Sequence, residues 1–236
     1  MNLIIFANLA GGVGKTTSSL ACAVAATEYG KKVLLIDADA NAGLTFINGV
    51  ENPRVTTKEF LTQEYPLETA LIRTGERVSL LSSSSRLSSL EIEKLMSQEK
   101  FREATNDFDL VIVDTASGPD NLLQYFAQVA DLVVIPTTLE ILPIRGALHA
   151  KEFVIAGGFQ KKPHLLITMQ NQAESLEVPS ELLEELVILE PSLIKDVAVS
   201  DSQTSGKSFL TTANHSQVAA QYREITYALL EEVNLI

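Results

Sequence analysis

The sequence predicts an α/β fold in which helices cover both faces of a doubly wound, mostly parallel sheet. Short apolar runs alternate with longer amphipathic or alanine-rich segments along the 236 residues, a rhythm typical of parallel strands joined by helices. Acidic residues follow two of these runs, at Asp37 and Asp114. The carboxyl ends of parallel strands form the ligand-binding edge of such a sheet. We therefore expect one domain over residues 1–236, with its site at that edge.

A glycine-rich loop, Ala10–Thr17, lies between the first predicted strand, Leu3–Ala7, and the first predicted helix, Ser18–Tyr29. Glycines let the backbone curl so that successive N–H groups point at one anion at the positive end of the helix. Lys15 is expected to reach the β- and γ-phosphates of a nucleotide, and the Thr16 hydroxyl to ligate Mg²⁺. The alternative, a flexible glycine turn, does not require Gly-Lys-Thr at this place. The predicted nucleotide contacts in the loop are Gly11, Gly12, Val13, Gly14, Lys15, Thr16 and Thr17.

The amino-acid composition limits the classes of binding partner and the cellular compartment that we expect for this protein. The formal charge of −12 discourages unspecific adhesion to nucleic acid or anionic membranes, unless a local basic patch overrides the average. The single cysteine, Cys22, has no disulfide partner and is expected to be a small core residue rather than a reactive thiol. No signal peptide precedes the first strand and no apolar run is long enough to span a bilayer, which predicts a cytoplasmic protein.

Aspartates end two of the apolar runs. Val33–Ile36 is a predicted strand that leads into Asp37 and Asp39, and Asp37 is expected to hold the water shell of a metal ion. The run Asp109–Asp114 has the pattern of a Walker B strand, which predicts that the carboxylate of Asp114 lies near Mg²⁺ through water. The loop Thr115–Pro119 then occupies the place of a switch that senses the γ-phosphate, because glycine and proline permit two arrangements.

The segments between these motifs carry weaker patterns. Residues 45–74 are polar and irregular, and the serines at 82–85 indicate a loop and a helix cap rather than a phosphorylation cluster. We predict further strands over Val78–Leu81, Leu132–Pro136 and His164–Met169. Helices are predicted over Lys58–Leu61, Pro66–Leu71, Leu87–Thr105, Leu142–Gly157, residues 179–189 and Gln217–Val233.

The motif Gly-Gly-Val-Gly-Lys-Thr-Thr resembles the deviant Walker box of the ParA/MinD family of P-loop NTPases, which partition and position cargo in bacterial cells. The resemblance extends from residue 3 to about residue 233. It implies ATP and Mg²⁺ as cofactors, an ATP-dependent homodimer, non-specific binding to nucleoid DNA, no membrane, and an adaptor of the McdB or ParB type. It also implies that Asp39 positions the attacking water, whereas the alternative is an aspartate that caps the next turn. By position, Met169 contacts the adenine base.

One position departs from the family pattern. Family members carry a signature lysine just before the two glycines, and here that residue is Ala10. Loss of this lysine resembles the McdA branch, which distributes carboxysomes. Two facing triphosphates concentrate negative charge, so a cation from another element is useful there. We predict that Lys151, on the helix over 142–157, is this catalytic cation; the alternative is an ordinary solvated lysine.

Other functions stay open at this point. A plasmid-partition ATPase with a different adaptor fits the same motifs, and a small ligase can share the fold. The acidic carboxyl terminus, Glu231–Ile236, would be repelled by anionic lipid, which argues against a MinD-like membrane anchor. The candidate cations for DNA are Lys195, Lys207 and Arg223, with solvated surface charge as the alternative.

Overall fold

The centre of the molecule is a mixed sheet that lies between layers of helices. The computed structural model describes residues 1–171, 184 and 186–236. The strands of these residues form one eight-stranded sheet in the order β3-β4-β2-β5-β1-β6-β7-β8. Neighbouring strands are parallel except for the antiparallel pair β3 and β4. The strands are β1 (Asn2–Phe6), β2 (Val33–Ala38), β3 (Leu71–Arg73), β4 (Ser79–Leu81), β5 (Leu110–Thr115), β6 (Leu132–Thr137), β7 (His164–Ile167) and β8 (Val187–Ile188).

Helices connect the strands and cover both faces of the sheet. They are α1 (Lys15–Glu28), α2 (Gly43–Ile47), α3 (Thr57–Leu61), α4 (Leu67–Ala70), α5 (Gln98–Thr105), α6 (Asn121–Val129), α7 (Ile141–Ala156), α8 (Val197–Ser202), α9 (Phe209–Thr212) and α10 (Gln217–Glu232), with 3₁₀ turns at Ser85–Ser89 and Ile92–Lys94. One core layer contains Phe101 and Phe126 from α5 and α6. The other contains Tyr222 and Leu229 from α10, which packs on α1. The predicted doubly wound fold is confirmed.

Burial on both faces explains why the central strands could be predicted. Every residue of β2, β5 and β6 is buried. A strand covered on both faces needs a continuous apolar run rather than alternation. The same reasoning holds for the last helix, where the predicted apolar face, Val218, Tyr222, Ile225 and Leu229, is buried.

The helix predicted over Leu87–Thr105 is wrong in its first half. The chain there forms two 3₁₀ turns, and α5 begins only at Gln98. Serine hydroxyls bond local carbonyls instead of supporting a helix: Ser88 Oγ donates to the Ser85 carbonyl and Ser89 Oγ to the Arg86 carbonyl. Ser97 then caps α5 by accepting from the backbone N–H of Lys100.

Several other elements differ from the prediction, and pairing with a neighbouring strand explains two of them, β3 and β8. The helix predicted over Pro66–Leu71 ends at Ala70, and Leu71 starts β3, which pairs with β4. The helices α2 and α6 were not predicted. The helix predicted over 179–189 lies mostly outside the described residues, and its last part, Val187–Ile188, is the edge strand β8 beside β7.

No helix among the described residues combines the length and the apolar character that crossing a membrane requires.

Candidate nucleotide-binding site

The glycine-rich loop connects β1 to α1 at the carboxyl edge of the sheet. Gly12 and Gly14 have φ angles of 74° and 85°, a left-handed conformation that glycine adopts without steric cost. Gly14 is the residue that precedes α1, so the backbone N–H groups at the helix start open toward the loop. The loop therefore has the backbone shape that binds phosphate at a helix N-terminus.

Lys15 lies under this loop and is almost fully buried. Its Nζ donates to the carbonyl of Ala10 and to the hydroxyl of Ser117, each at 2.9 Å. Burial lowers the pKa of the ammonium, and the charges of Asp114 and Asp39 oppose that shift. The lysine is thus held beside two carboxylates at the place where a phosphate group would arrive.

Asp114 and Thr16 form the best-defined candidate metal site. Thr16 Oγ1 donates to Asp114 Oδ2 at 2.7 Å, while Asp114 Oδ1 is buried without a partner among the described residues. Burial, followed by the charge of Asp37 on the neighbouring strand, raises the pKa of Asp114 to about 8. A hard cation with oxygen ligands would satisfy this oxygen and stabilise the ionised carboxylate, so the residues fit Mg²⁺.

The described residues contain no cluster of three or more His, Cys, Asp and Glu side chains that could hold a metal by itself. This agrees with Mg²⁺, which keeps several waters and takes further ligands from substrate phosphates.

Asp37 anchors the start of α2. Its Oδ2 accepts from the backbone N–H and the hydroxyl of Thr45, at 2.8 and 2.6 Å, and its Oδ1 accepts from the N–H of Asp39. Burial raises the pKa of Asp37 to about 6, and these hydrogen bonds oppose the shift. Both oxygens of the Asp37 carboxylate are therefore already hydrogen-bonded to the segment that contains Asp39 and Thr45. The proposed role of Asp37 in holding the water shell of a metal ion stays a prediction.

Asp39 stabilises the turn before α2. Its Oδ1 accepts from the backbone N–H and the side-chain amide of Asn41, at 2.8 and 3.0 Å, which is the turn-capping role that the sequence left open. The charge of Asp39 nevertheless reaches Lys15, where, with the larger effect of Asp114, it opposes the lowering of the ammonium pKa by burial. Its role toward water stays a prediction.

A cleft of about 470 Å³ opens beside Gly14 and Thr17. The predicted base contact, Met169, lies in its wall with a left-handed φ of 56°. Thr168 connects this wall to the phosphate loop, because its hydroxyl donates a hydrogen bond to the Val13 carbonyl at 3.0 Å. The rest of the wall combines apolar with polar residues: Leu193, Ile194, Val197, Val199, Val218 and Tyr222 with Asn171, Lys195, Asp196, Ser200 and Gln203. A flat heterocycle attached to phosphates on the loop would fit this position.

The comparisons with known proteins agree with this geometry. Residues 1–165 match the AAA_31 family model, which describes an AAA domain. The chain belongs to the AAA_31 family. The chromosome-partitioning ATPase Soj of Thermus thermophilus is 27% identical to it over 241 residues, covering 98% of this chain and 96% of Soj. Among curated relatives, this AAA_31 chain also matches an ATP-binding protein of Methanocaldococcus jannaschii, 32% identical over 154 residues, and the maintenance of carboxysome distribution protein A of Synechococcus elongatus, 25% identical over 163 residues.

Coverage differs among these relatives. The alignments cover 64% of this AAA_31 chain and 58% of the Methanocaldococcus protein, and 65% of each chain for the Synechococcus protein.

Two solved structures share the fold. MinD of Aquifex aeolicus has a TM-score of 0.81 at 23% identity, covering 98% of both chains. Cobyrinic acid a,c-diamide synthase of Mycobacterium smegmatis, with a bound ATP analog and magnesium, has a TM-score of 0.80 at 25% identity, covering 99% of this chain and 96% of that one. The resemblance to ParA and MinD proteins is thereby confirmed at the level of the family.

In this AAA_31 chain, α7 packs directly on the phosphate loop at the position where the signature lysine is missing. A Cβ atom added at Gly146 would lie 2.7 Å from the Ala10 Cβ and 2.6 Å from Asn8 Oδ1. Asn8 holds the loop, since its Oδ1 accepts from the Ala10 N–H and its Nδ2 donates to the Pro136 carbonyl. A glycine inside a helix is unfavourable, and that signal could have identified Gly146 from the sequence.

Lys151 lies further along α7 and is half-buried. Its predicted role concerns the triphosphate of a second copy and stays a prediction. Ser117 lies in the loop Thr115–Pro119, whose predicted role as a switch stays a prediction, but sequence reasoning did not predict the contacts of Ser117 or Thr168. Both become visible only through their contacts with the loop, at Lys15 and Val13.

Proposed function

We propose that this chain is a Mg²⁺-dependent ATPase that dimerises when it binds ATP and positions a cargo with the help of an adaptor protein. The observation that carries the proposal is the convergence of Lys15, Thr16 and Asp114 beneath the loop, with Asp114 Oδ1 left for a metal ligand. The match to Soj along almost the whole chain supports a positioning ATPase. In this proposal residues 1–236 act as one domain in the cytoplasm, associated with the nucleoid.

ATP binding would use the loop and the adjacent cleft. The N–H groups of residues 11–17 would surround the phosphates, Lys15 would bridge the β- and γ-phosphates, and Met169 would contact the base. Thr16 and Asp114 would hold Mg²⁺, with Asp37 contributing through water. The metal would neutralise charge that develops on the phosphates during hydrolysis.

Hydrolysis is proposed to be slow until a partner accelerates it. Asp39 would orient the attacking water, and Lys15 would stabilise the transition-state charge, with Lys151 from the partner copy as the second cation. Because intrinsic hydrolysis would be slow, the ATP-bound dimer would persist until an adaptor of the McdB or ParB type stimulates hydrolysis.

Non-specific DNA binding requires exposed cations. Lys195 and Lys207 are exposed and remain candidates. Arg223 is a poor candidate, because its guanidinium is held by Glu28 at 2.6 and 3.0 Å and by the carbonyl of Asn214. We therefore propose that phosphate contacts come from Lys195 and Lys207. A gel-shift assay with MgATP at low salt tests this, with a Lys195→Ala/Lys207→Ala double variant expected to weaken binding and reduce its salt dependence. No shift for the wild-type chain would remove DNA from the proposal.

The cargo is proposed to be the carboxysome. Support comes from the similarity to the Synechococcus carboxysome-distribution protein and from Ala10 in place of the signature lysine. A plasmid is the alternative cargo. Imaging a fluorescent fusion together with a carboxysome marker separates the two, since evenly spaced carboxysomes should become clustered when the gene is deleted.

A ligase is the second candidate, favoured by the 25% identical cobyrinic acid a,c-diamide synthase structure. The two functions differ in what turnover requires. A positioning ATPase hydrolyses ATP without a second small substrate and responds to DNA and a protein partner. A ligase consumes ATP only when a carboxylic acid and an amine donor are present.

The test of ATP hydrolysis itself is a phosphate-release assay on the wild-type chain and a Lys15→Ala variant. We expect slow Mg²⁺-dependent release that Lys15→Ala abolishes, whereas Lys32→Ala, a matched change at an exposed lysine, leaves it unaltered. Equal release by Lys15→Ala and wild type would overturn the proposed site.

A further inference from the structure

A cavity of about 530 Å³ is lined by the start of α5, by the 3₁₀ turn before it and by one face of α6. None of its lining residues belongs to the candidate nucleotide site. Its apolar part contains Met96, which is buried, Leu95, which is half-buried, and Ile92, whose side chain is 48% exposed. A concave surface that combines apolar and polar side chains is typical of a binding site.

A second cavity, of about 590 Å³, meets the first at Met96, which lines both. Its lining comes from α3, α4 and α5 and from the segment between α3 and α4, where Tyr65 is 46% exposed. We call the two cavities together the α5 furrow. Small-molecule pockets usually measure about 300 to 1,000 Å³, so the α5 furrow is larger than a single metabolite requires. Its extent favours an elongated ligand.

Carboxamide side chains follow the furrow along α6. Asn121, Gln124 and Gln128 are spaced by three and four residues, so they lie on one face of the helix. Gln98 of α5 lies opposite, and its Nε2 donates to Gln128 Oε1. A carboxamide both donates and accepts hydrogen bonds, as the N–H and C=O groups of a polypeptide backbone require. The seven residues from Asn121 to Gln128 rise about 10 Å, which an extended chain spans in about three residues.

Tyr125 lies between these carboxamides in the lining of the furrow. Its side chain is 9% exposed, and its hydroxyl has no hydrogen-bond partner among the described residues. Burial raises the pKa of Tyr125, so the hydroxyl keeps its proton and remains a donor. A buried donor without an acceptor costs free energy, and a carbonyl of a bound segment would supply the acceptor.

The charges in the furrow select the sign of its ligand. Glu68, Glu99 and Glu103 line it and are exposed. Lys100 is the one cation in the described lining, and its Nζ donates to Gln63 Oε1. Complementary charge steers association and fixes the orientation of a partner. A ligand with lysine or arginine therefore fits, whereas a second copy of this chain, with its formal charge of −12, does not.

We propose that the α5 furrow binds an extended, positively charged segment of another protein. The backbone of the segment bonds the carboxamides of α6 and the hydroxyl of Tyr125, and a large apolar side chain packs against Ile92 and Leu95. This inference goes beyond the proposed function, because it requires neither the phosphate loop nor a nucleotide.

The first test is a selection from a random library of peptides of about twelve residues, displayed on phage, against the whole chain without nucleotide. We expect wild type to enrich peptides that carry lysine or arginine and at least one large apolar residue. A parallel selection on the Glu99→Lys/Gln124→Ala double variant should not enrich them. Glu51→Lys, at an exposed glutamate outside the furrow, should enrich the same peptides as wild type.

The second test measures the affinity of an enriched peptide by fluorescence anisotropy. We expect Gln124→Ala and Tyr125→Phe each to weaken binding about fivefold. Urea denaturation should show that Tyr125→Phe keeps or raises the free energy of unfolding, since it removes a hydroxyl that has no partner. Glu99→Lys should weaken binding more at low salt than at high salt. Tyr227→Phe, at an exposed tyrosine outside the furrow, should bind like wild type.

Three results would overturn the inference. The selection could enrich no peptide or only acidic ones, or the enriched peptide could bind Gln124→Ala, Tyr125→Phe and Glu99→Lys as tightly as wild type. The third is a nucleotide-free wild-type chain that forms a dimer in light scattering which Glu99→Lys/Gln124→Ala abolishes, because the furrow would then hold a second copy. Because all measurements omit nucleotide, none of these results bears on ATP binding, and failure of the ATPase proposal would leave the furrow unaffected.

Discussion

Asp114 is the residue whose ionisation depends most on what the site holds. Its carboxylate is buried beside Asp37, with Thr16 on one oxygen and no partner among the described residues on the other. Burial raises its pKa to about 8, so the empty site favours the protonated acid, and a divalent cation favours the carboxylate. Metal and nucleotide binding should therefore depend on each other through this one side chain.

The variant Asp114→Asn tests that dependence. The amide can still accept from Thr16, and it is uncharged like the protonated acid that the empty site favours, so we expect the free energy of unfolding of the empty protein to stay the same or to rise. Mg²⁺ should no longer strengthen ATP binding, measured by titration with and without EDTA. Asp107→Asn, at an exposed aspartate, should keep the full Mg²⁺ effect. A normal Mg²⁺ effect in Asp114→Asn would place the metal elsewhere.

His164 gives a pH dependence that is separate from the site. It begins β7, is buried, and its Nδ1 lacks a partner among the described residues. Burial, with a smaller contribution from Lys161, lowers its pKa, and Glu232 opposes the shift. The native state therefore binds this proton less readily than the unfolded chain does. Stability is present above the unfolded pKa and is lost as the pH falls below it through the folded pKa.

We accordingly expect the free energy of unfolding to decrease when the pH is lowered from about 7.5 to about 5.5, and to decrease less in His164→Gln. Urea denaturation at the two pH values measures this. His215→Gln, at an exposed histidine, should retain the wild-type decrease. An identical decrease in His164→Gln would show that the acid sensitivity has another origin.

Helix α7 and the phosphate loop form one packed unit. The closest approach is at Gly146, where a Cβ atom would lie within 2.6 to 2.8 Å of Asn8 and Ala10. Such distances require the helix or the loop to move. Because the loop must keep its shape to bind phosphate, the packing of α7 should influence nucleotide affinity without direct contact to the nucleotide.

Gly146→Ala is expected to weaken ATP binding by about tenfold or more, even though alanine favours the helix itself. Calorimetric titration measures the affinity, and circular dichroism checks that the fold is intact. Gly75→Ala, at a position with nothing within 4 Å of the new Cβ, is the matched control and should bind normally. Wild-type affinity in Gly146→Ala would show that the contact between α7 and the loop can relax without cost.

The elements that the sequence predicted are those whose signal is local. Buried strands such as β2 and β5 are continuous apolar runs. The phosphate loop has a spacing of glycines before Gly-Lys-Thr that is typical of nucleotide-binding loops. The strand β3 exists only because β4 pairs with it, so its three residues carry no signal of their own. Helix α6 had a readable start, since Asp120 caps it by accepting from the Leu122 N–H. Ser117 and Gly146 act on residues far away in sequence, and only the fold brings those partners together.

On the scale of the whole molecule, four large apolar side chains are strongly exposed in segments that follow strands of the sheet. They follow the carboxyl ends of several strands, where Ile141 is 83%, Val197 75%, Leu142 73% and Phe46 66% exposed. Large apolar side chains grouped at one edge mark a surface that another protein covers. A second copy that closes over the nucleotide would cover them, which supports the proposed dimer.

Lys151 is the residue through which the dimer should depend on charge. If it supplies the cation that Ala10 lacks, Lys151→Ala should fold normally and bind ATP as a monomer but fail to dimerise, as measured by light scattering. Lys161→Ala, at an exposed lysine after α7, should dimerise like wild type. Unchanged dimerisation of Lys151→Ala would remove this lysine from the site.

The central claim is that Mg²⁺ and ATP close two copies over their nucleotides and that hydrolysis reopens them. Its most direct measurement is the mass in solution, by sedimentation or light scattering, of wild type and Asp39→Ala without nucleotide, with MgADP and with MgATP. We predict 25.6 kDa without nucleotide and with MgADP, and twice that mass with MgATP, transient for wild type and lasting for Asp39→Ala. A chain that keeps the monomer mass in saturating MgATP, in both proteins, would contradict the account.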